Sequence, residues 1–77
     1  MMYQITTMYK QGILDNAGKA VTKALGTIGF EGVNDVRIGK TYTVDCGEDQ
    51  VEAIAKVVTN QVMEDYEIVA VNSIDKY

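Results

Sequence analysis

The sequence predicts an α+β two-layer sandwich in β-α-β-α-β order: a mainly antiparallel three-stranded sheet with two helices on one face. Three observations carry this reading. Apolar residues alternate with period two near both ends of the chain. They recur at helical spacing between Asp15 and Gly29 and again between Glu48 and Asn60, and a long alternating segment joins the two helices. The chain has 77 residues, enough for a single domain, 1–77, with a small core.

The first strand is read at 3–9, where Tyr3, Ile5, Thr7 and Tyr9 share one face and Gln4, Thr6 and Met8 the other. Gly12 breaks it. Asp15 is placed to cap a helix, its carboxylate accepting from free amides of the first turn. Ala17, Ala20, Val21, Ala24, Leu25 and Ile28 then form one apolar stripe. Gly29 suits the left-handed position past the helix end, with Phe30 packing back. Gly18 and Gly26, inside the helix, imply close packing, since glycine there costs on the order of 1 kcal/mol relative to alanine.

The segment 33–46 admits two readings. Gly39-Lys40 as a hairpin turn would send the apolar residues on its two sides to opposite faces of the sheet. One continuous strand instead places Val36, Ile38, Lys40, Tyr42, Val44 and Cys46 on one face, and a one-residue slip would undo that agreement. The expectation is one long strand bent at Gly39. Fourteen residues span roughly 46 Å, whereas a compact chain of this length is only ~30 Å across. Such a strand projects and pairs with a second chain. Val36, Ile38, Gly39, Tyr42 and Val44 are therefore the expected dimer-strand residues, and the chain is expected to form a homodimer, with a tetramer left open.

Glu48 and Asp49 mark the acidic start of the second helix. Val51, Ile54, Ala55 and Val58 give its apolar face, Glu52 can pair with Lys56, and Asn60-Gln61 ends it. A last strand runs from about 66 to 74, with Tyr66, Ile68 and Ala70 opposite Val69 and Val71. The whole resembles a ferredoxin-like unit whose two middle strands have fused.

Composition narrows the chemistry. There is no histidine, proline or tryptophan and only one cysteine. Ordinary acid–base catalysis near neutral pH most often uses histidine, and a lone cysteine on an apolar strand face reads as a small buried hydrophobe. Glu64, Asp65 and Glu67 lack the pattern of a calcium loop, and no glycine-rich phosphate loop follows a strand. Neither a catalytic residue nor a metal site is expected. The net charge of −4 opposes a nucleic-acid partner, and no apolar run reaches the ~20 residues of a membrane span. One cysteine and no targeting segment read as cytoplasmic. Charge is unevenly spread: residues 1–40 hold five bases against three acids, and residues 41–77 two bases against eight acids. Docking between oppositely charged faces is one consequence.

Three segments carry a resemblance. They are Gly12-Ile13-Leu14-Asp15-Asn16-Ala17-Gly18-Lys19-Ala20-Val21, Val33-Asn34-Asp35-Val36-Arg37-Ile38-Gly39-Lys40, and Asn60-Gln61-Val62-Met63-Glu64-Asp65-Tyr66-Glu67-Ile68. In this order and spacing the chain resembles the PurS family, the small subunits of phosphoribosylformylglycinamidine synthase in de novo purine biosynthesis. The family usually has Asp-Pro where this chain has Asp15-Asn16, and Asn-Pro-Val where it has Asn60-Gln61-Val62.

The resemblance implies a required subunit without an active site of its own. Its dimers join a large synthetase subunit, which uses ATP and magnesium, to a glutaminase subunit that releases ammonia. No cofactor is then expected in this chain. Arg37 and Lys40, which match the family motif, are candidate partner contacts, with Glu64, Asp65 and Tyr66 as a second patch. The alternative is a stand-alone dimeric regulatory domain that binds a small molecule.

Overall fold

The structure, a computed structural model, describes residues 1–71. Its elements are β1 (Met2–Tyr9), α1 (Asn16–Thr27), β2 (Gly39–Asp45), α2 (Glu48–Val58) and β3 (Glu64–Val71). The strands form one sheet in the order β2-β1-β3, and both pairings are antiparallel. The expected architecture is present. Residues 72–74 of the expected last strand lie outside the described residues.

The alternation read from β1 sets the two sheet faces. Tyr3, Ile5 and Thr7 are buried. Their cross-strand neighbours are Val44, Tyr42 and Lys40 on β2 and Ala70, Ile68 and Tyr66 on β3. Helix α2 covers this face with Val51 and Ala55, completing a core of Tyr3, Ile5, Val51 and Ala55. Cys46 packs, half-buried, at the edge of that core. The other face carries Gln4, Thr6, Thr41, Thr43 and Glu67 and is solvated.

The middle strand is shorter than expected. It begins at Gly39, so Val36 and Ile38 lie outside it, while Gly39, Tyr42 and Val44 lie within it. The cause is a competing set of bonds. The pairing of β1 with β2 ends at Met8 opposite Gly39, so among the described residues no strand faces 33–38. The Ile38 amide donates instead to Asp15 Oδ2 at 2.9 Å. The Val36 carbonyl sits against Gly18, so close that a Cβ there would collide with it. Gly39 does mark the point where the chain enters the sheet. A Cβ at that position would lie 2.6 Å from the Thr7 carbonyl oxygen, so only glycine permits this approach. Seven residues of β2 span about 23 Å.

Helix α1 starts and stops as its sequence dictates. Asp15 caps it, its Oδ1 accepting from the Gly18 amide at 2.8 Å. At the other end Gly29 adopts φ +107°. The Phe30 amide donates to the Leu25 carbonyl and the Gly29 amide to the Gly26 carbonyl, the paired bonds of a Schellman cap. Its packing differs in extent from that of α2. α2 packs along β3, whereas α1 makes no packing of similar extent with any strand. It is joined to the sheet at its first turn, through Asp15 and Gly18, and its apolar stripe stays in solvent: Val21 is 39% and Ile28 71% exposed. The radius of gyration is accordingly 15.5 Å, against about 11.5 Å for a compact chain of this length.

α2 follows its sequence closely. Glu48 and Asp49 occupy its first turn and Lys56 its last, both matched to the helix dipole. The turn that follows is tied by side chains. Asn60 Oδ1 accepts from the Val62 amide at 3.2 Å, and Glu64 Oε1 accepts from the Asn60 amide at 2.9 Å.

Candidate functional site

The residues singled out from the sequence as two patches converge on one end of the sheet. β1 finishes there at Tyr9, β2 enters at Gly39 and β3 enters at Glu64, so register alone brings Lys40, Glu64, Asp65 and Tyr66 around Thr7, Met8 and Tyr9. Arg37 reaches the same place from the preceding segment. Its Nη2 donates to the Tyr9 carbonyl at 2.9 Å and to the Lys10 carbonyl at 3.4 Å. The guanidinium thus caps the exposed carbonyls where β1 leaves the sheet. Lys10 Nζ lies 3.9 Å from Asp65, an exposed pair that contributes little.

Each acidic residue of the patch has a partner or a clear place. Glu64 braces the turn after α2 by accepting from Asn60. Asp65 is exposed and faces the opposite side of the sheet from Lys40, since it pairs with Met8 and Lys40 with Thr7. Tyr66 crosses to the helix layer, its hydroxyl donating to Glu52 Oε2 at 2.8 Å. Donation to that carboxylate, with partial burial, holds the Tyr66 phenol above its ordinary value.

Asp15 organises this end of the molecule, and the sequence disclosed only half of its role. Its capping bond to Gly18 was legible as an Asp before an apolar stripe. The second bond, to Ile38, joins residues 23 apart and has no local signature. Asp15 is buried. The Ile38 amide first, then the Gly18 amide, and at longer range the Arg37 charge hold its carboxyl below the ordinary carboxylate range.

Two clefts flank Asp15. One, of about 250 Å³, lies between Gly12–Asp15 and Asp35–Arg37, with Lys19 on its wall. The other, of about 180 Å³, is bounded by Thr7, Tyr9, Ile38, Lys40 and Glu64. Thr7 is fully buried, and its hydroxyl has no hydrogen-bond partner among the described residues. Among these residues no group of three or more Cys, Asp or Glu is placed to hold a metal ion. None of their helices is long and apolar enough to cross a membrane. The arrangement gathers charged and hydrogen-bonding groups at one sheet end.

Comparison with known proteins identifies the family. The family model PurS, described as phosphoribosylformylglycinamidine (FGAM) synthase, matches residues 2–72. The chain belongs to the PurS family. A relative from Mycobacterium leprae (strain TN), phosphoribosylformylglycinamidine synthase subunit PurS, is 33% identical over 69 residues, covering 83% of this chain and 87% of that protein. The Bacillus subtilis PurS structure superposes with a TM-score of 0.74 at 28% identity, covering 88% of this chain and 94% of that one. The PurS structure from Methanocaldococcus jannaschii gives the same TM-score and identity, with 90% and 94% covered. That protein is described as one of the subunits of formylglycinamide ribonucleotide amidotransferase in the purine biosynthetic pathway.

Proposed function

We propose that this PurS-family chain is a required, non-catalytic subunit of phosphoribosylformylglycinamidine synthase in de novo purine biosynthesis, acting in the cytoplasm. The observation that carries this reading is the family match across residues 2–72, nearly the whole chain. In the proposed assembly the chain holds a large synthetase subunit, which uses ATP and magnesium, beside a glutaminase subunit, so that ammonia passes between them. Arg37, Lys40, Glu64, Asp65 and Tyr66 form the polar surface proposed to meet a partner subunit, because they cluster at one sheet end.

The working unit is proposed to be a homodimer, with pairing of two dimers as a further step. Among the described residues, β2 is an edge strand and α1 packs little against the sheet, and both features support association. The clefts of about 250 and 180 Å³ are smaller than the ~300–1,000 Å³ of ordinary small-molecule sites.

Reconstitution tests the proposal. The chain, the synthetase subunit and the glutaminase subunit are purified separately, and glutamine-dependent ligation is measured with each omitted in turn. Full activity is expected only when all three are present. Undiminished glutamine-dependent activity without this chain would refute the role. Light scattering of the chain alone tests the homodimer separately.

A further inference from the structure

We infer that the cleft of about 250 Å³ beside the start of α1 is a binding site for a small aliphatic α-amino acid. The site lies within one chain and needs no partner subunit, so it stands apart from the assembly role.

Three kinds of wall meet in this cleft. Lys19 and Arg37 bring positive charge, Asp35 brings a carboxylate, and Ile13 and Val36 bring half-buried apolar surface. An α-amino acid carries the complement of each: a carboxylate, an ammonium and an apolar side chain.

Arg37 is held in place before any ligand arrives. Its Nη2 donates to the Tyr9 and Lys10 carbonyls at 2.9 and 3.4 Å. Its Nε and Nη1 make no hydrogen bond among the described residues, which leaves these donors for a carboxylate. A guanidinium already fixed loses less freedom when it binds. The backbone beside it is fixed as well. The Ile13 amide closes a turn onto the Lys10 carbonyl at 3.0 Å, with Gly12 at φ +90°.

Two acids line the cleft, and one of them is available. Both Asp15 oxygens are occupied, by the Gly18 amide at 2.8 Å and the Ile38 amide at 2.9 Å. Asp35 makes no ion pair among the described residues, and neither does Lys19. Opposite charges that line one cleft without meeting can be bridged by a zwitterion. Asp35 repels a simple anion such as phosphate and attracts an ammonium. Volume selects the small members of the class. A cavity of roughly 150 Å³ accepts a benzene-sized guest, so this cleft has room for a molecule the size of valine.

L-valine and its two halves, isovalerate and isobutylamine, test the site on the full chain alone. Each is titrated at neutral pH while backbone amide signals are followed by two-dimensional NMR. L-valine is expected to shift the Ile13, Val36 and Arg37 amides to saturation with a millimolar dissociation constant. Each half lacks one charged contact and is expected to bind about tenfold more weakly. Asp35→Asn is expected to weaken L-valine about tenfold and to bring it level with isovalerate. Circular dichroism verifies that this variant is folded. Lys56→Gln, in the last turn of α2, is the control and is expected to bind L-valine as wild type does. No saturable shift at the three amides would overturn the proposal. Isovalerate or inorganic phosphate binding as tightly as L-valine would also overturn it, by marking a simple anion site. So would an Asp35→Asn protein with wild-type affinity for L-valine. These titrations use no partner subunit, so their failure leaves the reconstitution result standing.

Discussion

Gly18 and Gly26 sit in the same helix, yet the same substitution should move stability in opposite directions. A Cβ at Gly26 meets nothing within 4 Å. Gly26→Ala therefore gains helix propensity, about 0.8–1 kcal/mol. At Gly18 the new methyl would lie well inside 3.0 Å of the Val36 carbonyl oxygen and 2.7 Å from Asp15 Oδ2. Neither neighbour is the free end of a flexible side chain. The carbonyl is backbone, and the carboxylate is committed to Gly18 and Ile38 at 2.8 and 2.9 Å. Relief needs a shift of order 1 Å, which belongs at the upper end of the ~1–3 kcal/mol typical of overpacking. Subtracting the propensity gain leaves a net loss of about 2 kcal/mol for Gly18→Ala. In a domain of this size 1 kcal/mol moves Tm by roughly 4–8 °C. Gly26→Ala should thus melt about 4–8 °C higher and Gly18→Ala about 8–16 °C lower. The assay is thermal circular dichroism at one fixed protein concentration, since association also shifts Tm. A Gly18→Ala protein as stable as wild type would refute the close seating of α1 on Val36.

Three further outcomes are expected. The Asp15 carboxyl is held below its ordinary value by Ile38 and Gly18. Its contribution to stability is therefore complete above the ordinary pKa of about 4 and is lost as pH falls through the lower folded value. Asp15→Asn should flatten the acid limb of a urea-stability profile, and an unchanged limb would contradict the clasp. The Tyr66 phenol is raised by donation to Glu52, so its contribution persists below about pH 10 and fades as pH climbs through the raised value. Alkaline difference absorbance should show one tyrosine titrating earlier in Glu52→Gln. Asn16→Pro and Gln61→Pro should each stabilise the protein by about 0.4–1 kcal/mol, measured by urea unfolding. Asn16 is the first helical residue, where proline is favoured, and the Gln61 amide donates no hydrogen bond among the described residues.

Much of the fold was legible because local chemistry specified it. The alternation of Tyr3, Ile5 and Thr7 fixed the buried face, and Asp15 and Gly29 bounded α1 through bonds made within its own turns. The extent of β2 was not legible. Val36 and Ile38 continue the period-two pattern faithfully, and alternation cannot reveal that no partner strand extends beyond Met8. The position of α1 was hidden for a related reason. An amphipathic stripe announces that something will cover it, but not whether the cover belongs to the same chain. Arg37 illustrates the limit at the level of a side chain. Its cation was legible; its bond to the Tyr9 carbonyl depends on a fold that brings residues 28 apart together.

The two places where the family resemblance implies a proline are both braced by side-chain hydrogen bonds. At Asn16 the preceding Asp15 carboxylate binds both the helix start and the entry to β2. At Gln61 the preceding Asn60 closes a turn onto Val62, and Glu64 reaches back to the Asn60 amide. Proline restricts a turn by removing conformations from the unfolded chain. A side-chain hydrogen bond restricts it only in the folded state. The two devices reach the same geometry but differ in what defeats them. Proline is indifferent to pH, whereas the Asp15 brace weakens when its carboxyl is protonated. Asp15 and Glu64 stand at the same end of the sheet, beside Arg37 and Lys40. The shape of the proposed contact surface at the start of α1 is thereby tied to the ionisation of Asp15. Asn16→Pro should hold the start of α1 in acid without adding a contact, and so separate the shape of that surface from its charge.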